Sequence, residues 1–359
     1  MIANFYSNRI KLINPLIDER WDKFVNNHPN GIIYNHSSWM RVLCLAYGQV
    51  KPLCFVLEDD NNNIRAALPC FIVRSRLTGT RLVSLPFSSY SDPLIEDSKD
   101  FNRLLDSAIE KLDRISASYF ELRCFKNIGL IDDGRLTKHN YYKTHILALE
   151  EGFKNISQRF HGDCIVRSVK KALKCGVAIK LGRSERDLEK YYVLHALTRK
   201  RQGFPIQPYE FFKNMWEIMS PLGFVDLLLA VYDKKIVAGI VLFKFKEIVS
   251  FEHGASIPKY HSVRPNHLLL WKAIEAACSQ GYRYFDFGKT PPENKGLLNF
   301  KRRWGAQIND IPYFYYPRIH GVMSLEQSSL KHRFLLAVGK YAPLYLAKKL
   351  GIIAYHHLG

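Results

Sequence analysis

The alternation of apolar and polar positions is most legible between residues 224 and 288. FVDLLLAVY (224–232) and IVAGIVLFKF (236–245) are β-rich runs separated by Asp233, Lys234 and Lys235, the pattern of a hairpin. IVSFEHGAS follows as a third strand. Pro265 then opens NHLLLWKAIEAACSQ, which stops at Gly281. Proline in the first turn and glycine just past the end predict a helix. YRYFDFG (282–288) reads as a short aromatic strand closed by Gly288.

The first half repeats this order. LCFVLE (53–58), an Asp-Asn-rich turn, IRAALPCFIVRS (64–75) and RLVSLPF (81–87) predict a meander. FNRLLDSAIEKLDRIS (101–116) carries Leu104, Leu105, Ala108, Ile109 and Leu112 on one helical face, and YFELRCF (119–125) is the strand after it. Two similar α/β halves joined near 150–160 are expected, on element order rather than on sequence identity. Between them, CIVRSVKKALKCGVAIKL (164–181) predicts a basic amphipathic helix leading to a strand. Its cations are either a solvated face or a positive wall beside a cleft.

Composition narrows the partners. The 359 residues are 47% hydrophobic and 24% charged, a globular balance, and the net charge is +19. Such an excess favours an anionic partner: nucleic acid, a phosphorylated carrier or a membrane surface. The seven cysteines stand singly, which points to a reducing compartment and to no structural metal. No signal-peptide core and no uncharged apolar run of about 18 residues is present, so a cytoplasmic chain is expected. The segment 331–359 has five Lys or Arg and no Asp or Glu, interleaved with Phe, Leu, Tyr and Ile. It is either a tail packed on the domain or a surface that touches the inner face of the plasma membrane.

Three stretches carry a resemblance. WDKFVNNHPNGIIYNHSSWMRVL, FPIQPYEFFKNMW and above all RPNHLLLWKAIEAACSQGYRYFDFGKTPPENKGLLNFKRRWGA are similar to the FemAB-like branch of the GNAT acyltransferase superfamily. The similarity runs from about Trp21 to Tyr316. It implies an α/β fold with mixed sheets, two tandem GNAT-like domains (1–155 and 156–318) and a basic C-terminal tail (319–359). It also implies an enzyme that transfers an acyl or aminoacyl group to an amine or hydroxyl of a cell-envelope precursor. Some relatives use aminoacyl-tRNA to build peptidoglycan bridges. Others sit among exopolysaccharide genes, and the chain resembles this looser group more. The donor is aminoacyl-tRNA, acyl-CoA or acyl carrier protein, and the acceptor a lipid- or nucleotide-linked precursor.

The residues supply candidate chemistry. Without a GxSxG or a Ser/His/Asp signature, direct attack within a ternary complex is the economical mechanism. Asp286, near the end of its strand, can accept a proton or fix the following turn. Glu252 and His253 occupy adjacent strand positions, so one of them faces the cleft. By resemblance, Phe300-Lys301 matches a Phe-Lys pair that places lysine at the reacting ester. A fixed ammonium there stabilises an oxyanion or holds a phosphate. Arg302 and Arg303 can add bidentate phosphate contacts. Arg264 and Asn266, at the head of the long helix, can present donors to an anion. Arg199 belongs to a basic cluster read as a cleft lip. Tyr90 and Asp92 lie in a turn-rich loop that by resemblance faces the acceptor, although Asp before Pro93 is also ordinary turn chemistry.

The stretch SIPKYHSVRPNH lacks the glycine pair of a nucleotide-binding GNAT loop, which speaks against acetyl-CoA. Two alternatives remain at this level: an acyl-CoA-dependent N-acetyltransferase of a small amine or amino sugar, and a non-enzymatic RNA-binding protein.

Overall fold

A computed structural model describes residues 9–77, 79–317 and 341–357. The parts of the expected tail that fall on 319–340 and 358–359 lie outside the described residues. The chain forms two compact units, one running up to Tyr141 and resuming at Ile311, the other from Tyr142 to Asp310 with the helix that ends at Tyr355.

In the first unit β1 (Arg9–Ile13), β2 (Val50–Glu58), β3 (Ile64–Ser75) and β4 (Gly79–Val83) form an antiparallel meander, with α1 (Arg20–Asn27) and α2 (Ser37–Ala46) between β1 and β2. The third predicted strand stops at Val83 rather than residue 87. Leu85 and Phe87 both take positive φ, which ends the extended run. Helix α3 (Ser98–Arg114) starts earlier than its apolar stripe, because the Asp97 carboxylate caps it by accepting the Asp100 N–H at 2.8 Å. Leu104, Leu105 and Ala108 then pack on Phe55, Leu68 and Leu82. Strand β5 (Phe120–Arg123) returns parallel to β4, as a crossover helix requires.

The second unit begins within β6 (Thr137–Ala148), a strand that the hydrophobic pattern does not announce. After α4 (Gly152–Ile156), a single π-helical turn at Gly162–Val166 leads into α5 (Arg167–Lys174) and β7 (Ala178–Gly182). The basic helix is present, and it is shorter than predicted because that turn takes up its first residues. Next come α6 (Glu185–Gln202), α7 (Tyr209–Met219), the strands β8 (Val225–Tyr232), β9 (Lys235–Phe245) and β10 (Ile248–Ser256), and α8 (Pro265–Ser279). Strand β11 (Tyr284–Asp286) is parallel to β10 and antiparallel to β6. The order β6-β11-β10-β9-β8-β7 makes a mixed sheet. Helices α5 and α8 pack together on one side of it, and α6 lies against β9 and β10.

The basic stretch after β11 is not a turn. It is a helix, α9 (Lys295–Arg302), capped by the Asn294 side chain, which accepts the Leu297 N–H at 3.1 Å. Strand β12 (Gln307–Tyr316) carries the chain back to pair with β5 in the first unit. The last described helix is α10 (Leu344–Tyr355).

Candidate functional site

The turn after β11 ties three predicted residues together. Asp286 is buried at the strand end, where its Oδ1 accepts the Thr144 hydroxyl at 2.7 Å and the Gly288 N–H at 2.8 Å. Gly288 has φ +72°, and a Cβ there would stand 3.1 Å from the Phe251 carbonyl oxygen, so this backbone needs glycine. The Gly288 carbonyl in turn accepts Lys301 Nζ at 2.6 Å. The lysine is only 4% exposed, because α9 turns it inward. Burial pulls its pKa from the ordinary 10.5 down to about 8, against the opposing pull of the Asp286 and Glu252 carboxylates.

Glu252 reaches this group through an irregularity that strict alternation misses. In β10, Phe251 pairs with Leu242 and His253 with Val241, so Glu252 is the extra residue of a β-bulge. Its charge acts on Lys301. His253 instead packs between His195, Phe211 and Phe212, and burial pushes its pKa down to about 3. The choice between the two strand positions therefore falls on the glutamate.

His145, which no sequence pattern singles out, is fully buried beside Lys301. Burial, with the nearby Lys301 charge, pushes its pKa down to about 4, so it is neutral at physiological pH. Neither ring nitrogen has a hydrogen-bond partner of good geometry, although the Leu298 backbone partly offsets the shift. A lone histidine in an unannounced strand gives no usable sequence signal.

Arg302 and Arg303 point away from Lys301. Phe160 and Trp304 are buried against each other, ring centroids 5.2 Å apart, so their chain neighbours turn outward. The His161 N–H donates to the Arg303 carbonyl at 2.9 Å and fastens the two segments. Gly305 takes φ +75°, a conformation that side-chain-bearing residues rarely adopt, and so lets the chain turn from α9 into the strand after it. Together Arg159, His161, Arg302 and Arg303 line a cavity of about 300 Å³. Arg159 is paired with Glu151 at 2.6 Å, whereas among the described residues neither Arg302 nor Arg303 has a carboxylate partner. Two uncompensated guanidiniums facing one cavity suit a phosphate, which takes them in bidentate fashion.

The remaining candidates separate. Phe300 is half-buried against His267 (5.4 Å) and Trp304 (6.3 Å) and supports α9. Arg264 sits at the head of α8 in the left-handed region (φ 59°). Asn266 Nδ2 donates to Ser256 Oγ at 3.2 Å, which ties the helix start to the end of β10. Arg199 is occupied in packing: its Nε donates to the Pro205 carbonyl at 3.1 Å, an Nη donates to the Tyr355 hydroxyl at 3.4 Å, and the guanidinium lies over Phe204. Tyr90 and Asp92 are buried in the first unit. Asp92 Oδ1 accepts the N–H groups of Phe125, Lys126 and Asn127 at 2.9, 2.6 and 2.8 Å, the turn-fixing alternative.

Residues 164–302, which hold Glu252, Asp286 and Lys301, match the acetyltransferase (GNAT) domain family. The lipid II:glycine glycyltransferase of Staphylococcus epidermidis is 21% identical and aligns over 82% of this chain and 90% of its own length. The UDP-N-acetylmuramoylpentapeptide-lysine N(6)-alanyltransferase of Weissella viridescens is 22% identical over 88% and 97%. Among solved structures, that of FemX superposes with a TM-score of 0.70 at 16% identity, covering 86% of this chain and 97% of its own.

Proposed function

The chain is a FemAB-like member of the GNAT acyltransferase superfamily, and from that premise we propose that it moves an aminoacyl group onto an amine of a peptidoglycan precursor. The observation that carries the reading is the buried Lys301 ammonium, fixed on the Gly288 carbonyl within the matched region and flanked by two carboxylates. The relatives' acceptors, lipid II and a UDP-linked muramoyl pentapeptide, supply the acceptor class. We place the acyltransferase domain on the second unit, whose stretch Tyr142–Asp310 begins before and ends short of the expected 156–318 and so takes in Thr144 and His145.

The chemistry balances around those groups. The acceptor amine attacks the carbonyl of the aminoacyl ester, forming a C–N bond and a tetrahedral oxyanion. Lys301 Nζ has two N–H donors left after the bond to Gly288 and offers them, with its charge, to that oxyanion. Glu252 takes the proton that the amine loses, and collapse breaks the C–O ester bond with the proton passing to the leaving hydroxyl. Asp286 acts through the Gly288 turn and the lysine rather than on substrate, as a positioning residue. The cavity of Arg159, His161, Arg302 and Arg303 holds a phosphate of the donor.

The test is mass spectrometry after incubating purified protein with aminoacyl-tRNA and either lipid II or UDP-linked muramoyl pentapeptide. An acceptor heavier by one aminoacyl residue is expected. No product from aminoacyl-tRNA, with acetylation of an amine by acetyl-CoA instead, overturns the reading. The double substitution Arg302→Ala/Arg303→Ala should raise the donor KM about thirtyfold with little change in kcat, each guanidinium–phosphate pair being worth about 1 kcal/mol. It should also flatten the dependence of log KM on log salt by about one for each arginine that no longer meets a phosphate. An unchanged salt slope would remove the phosphate role of this cavity.

A further inference from the structure

Helix α10 is apolar on nearly every side, yet only one side is covered. Ala347, Gly351 and Tyr355 form its buried stripe, where a Cβ on Gly351 would stand 2.1 Å from the Ile206 carbonyl oxygen. Tyr355 accepts from Arg199 of α6, and Lys348 Nζ lies 4.9 Å from the Tyr192 ring. This seam holds the helix flat against α6. At 100° per residue, Tyr345, Leu346, Lys349, Leu350, Ile352 and Ile353 share an outward arc of about 160°. All six are exposed, Ile353 at 57% and Tyr345 at 67%. On α6 Val193 and Leu197, one position round from the stripe that meets α10, are exposed as well, and Phe204 follows them.

A water-facing helix surface of this composition calls for an apolar partner. Its charge selects which one. Residues 341–357 contain Lys348 and Lys349 and no acid, and α6 ends nearby in Arg199, Lys200 and Arg201. A second copy of the chain would bring lysine onto lysine across α10, and the exposed Glu189, one turn before Val193 on α6, is outweighed by Arg199, Lys200 and Arg201 of the same helix. An anionic bilayer meets both demands: the arc enters the acyl boundary while the lysines extend to the headgroups. Twelve residues of helix span about 18 Å, well short of a hydrocarbon core of about 30 Å, so such a helix lies in the interface.

We infer that the outer face of α10, with the adjoining stripe of α6, is a docking surface for an anionic lipid bilayer. Its consequence for the reaction rests on the function proposed above: a chain held there takes its acceptor from the membrane, as a lipid-linked rather than a nucleotide-linked precursor.

The test is flotation of the full chain with vesicles of phosphatidylcholine containing about one-third phosphatidylglycerol, beside vesicles of phosphatidylcholine alone. Wild type should float with the anionic vesicles and lose binding in high salt. Ile352→Glu/Ile353→Glu should bind at least about tenfold more weakly, and Lys349→Ala about fivefold more weakly. Circular dichroism of both variants should match wild type, because all three side chains point outward. Transfer to lipid II dispersed in detergent, away from any bilayer, should be unchanged, so loss of docking and loss of the proposed reaction are read separately. The inference is overturned if wild type stays in solution with anionic vesicles, or if the double glutamate variant floats as well as wild type. It is equally overturned if the glutamates abolish self-association rather than flotation.

Discussion

Replacing Lys301 by methionine is expected to slow aminoacyl transfer about 10²- to 10³-fold while leaving the fold at least as stable. Loss of one preorganised donor at a developing oxyanion typically costs about 10²–10³ in kcat. The stability side follows from the cost of burying a charge. The fall from 10.5 to about 8 is about 2.5 units, which at about 1.36 kcal/mol per unit places the penalty near 3 kcal/mol at neutral pH. Methionine fills a similar volume without that penalty, but gives up the bond to Gly288, worth about 1 kcal/mol, and withdraws the Lys301 charge from Asp286 and Glu252. A net change between zero and about +2 kcal/mol is expected. The pH dependence checks the cause. Below pH 8 the lysine is protonated in both states and the whole penalty is present. Between about 8 and 10.5 the unfolded chain binds more protons, so wild-type stability rises with pH. Urea denaturation at neutral and alkaline pH should show that rise in wild type and not in Lys301→Met. A variant that unfolds at neutral pH marks Lys301 as structural, and a variant that transfers within about tenfold of the wild-type rate sinks its proposed role.

The chain announces its helices and central strands well because each buries one face. Leu104, Leu105 and Ala108 of α3 fall on a single stripe, and all three lie in the first core. Strand β6 escapes because its first half, TKHNYYK, is polar and aromatic: Tyr141, Tyr142 and Lys143 are half-buried, and only Thr144, His145 and Leu147 are fully covered. The site divides in the same way. Lys301 and Asp286 are legible because a sharp glycine turn and a Phe-Lys pair mark them. The helix that carries Lys301 is hidden, since its cap is an asparagine after two prolines and its inward residue is a lysine. A bulge leaves no trace in residue type either, so Glu252 and His253 cannot be told apart until the register of β10 against β9 is known. Arg159 and His161 join Arg302 and Arg303 only through the packing of Phe160 on Trp304, two aromatic residues far apart in the chain whose meeting no local pattern encodes.

Asp286→Asn should lower transfer about twofold at neutral pH and about tenfold near pH 9, and so move the alkaline limb of the rate profile downward. The amide keeps the shape of the carboxylate, and its oxygen can still accept from Thr144 and Gly288, so the turn is retained. What disappears is the charge that does most to hold the Lys301 proton in place against burial. Its pKa, already near 8, then falls further, by about one unit for a neighbouring carboxylate. Lys301 must be charged to stabilise the oxyanion, so the rate declines as pH rises through the lysine pKa, at a lower pH in the variant than in wild type. Measuring kcat against pH distinguishes this from simple damage: a displaced pKa leaves activity recoverable at mildly acidic pH, whereas a broken turn does not. Thr144→Val supplies the comparison. It removes a hydrogen bond to the same carboxylate and leaves the charge in place, so its alkaline limb should stay near that of wild type. If both substitutions shift the limb equally, geometry at the Gly288 turn, and not the carboxylate charge, sets the state of Lys301.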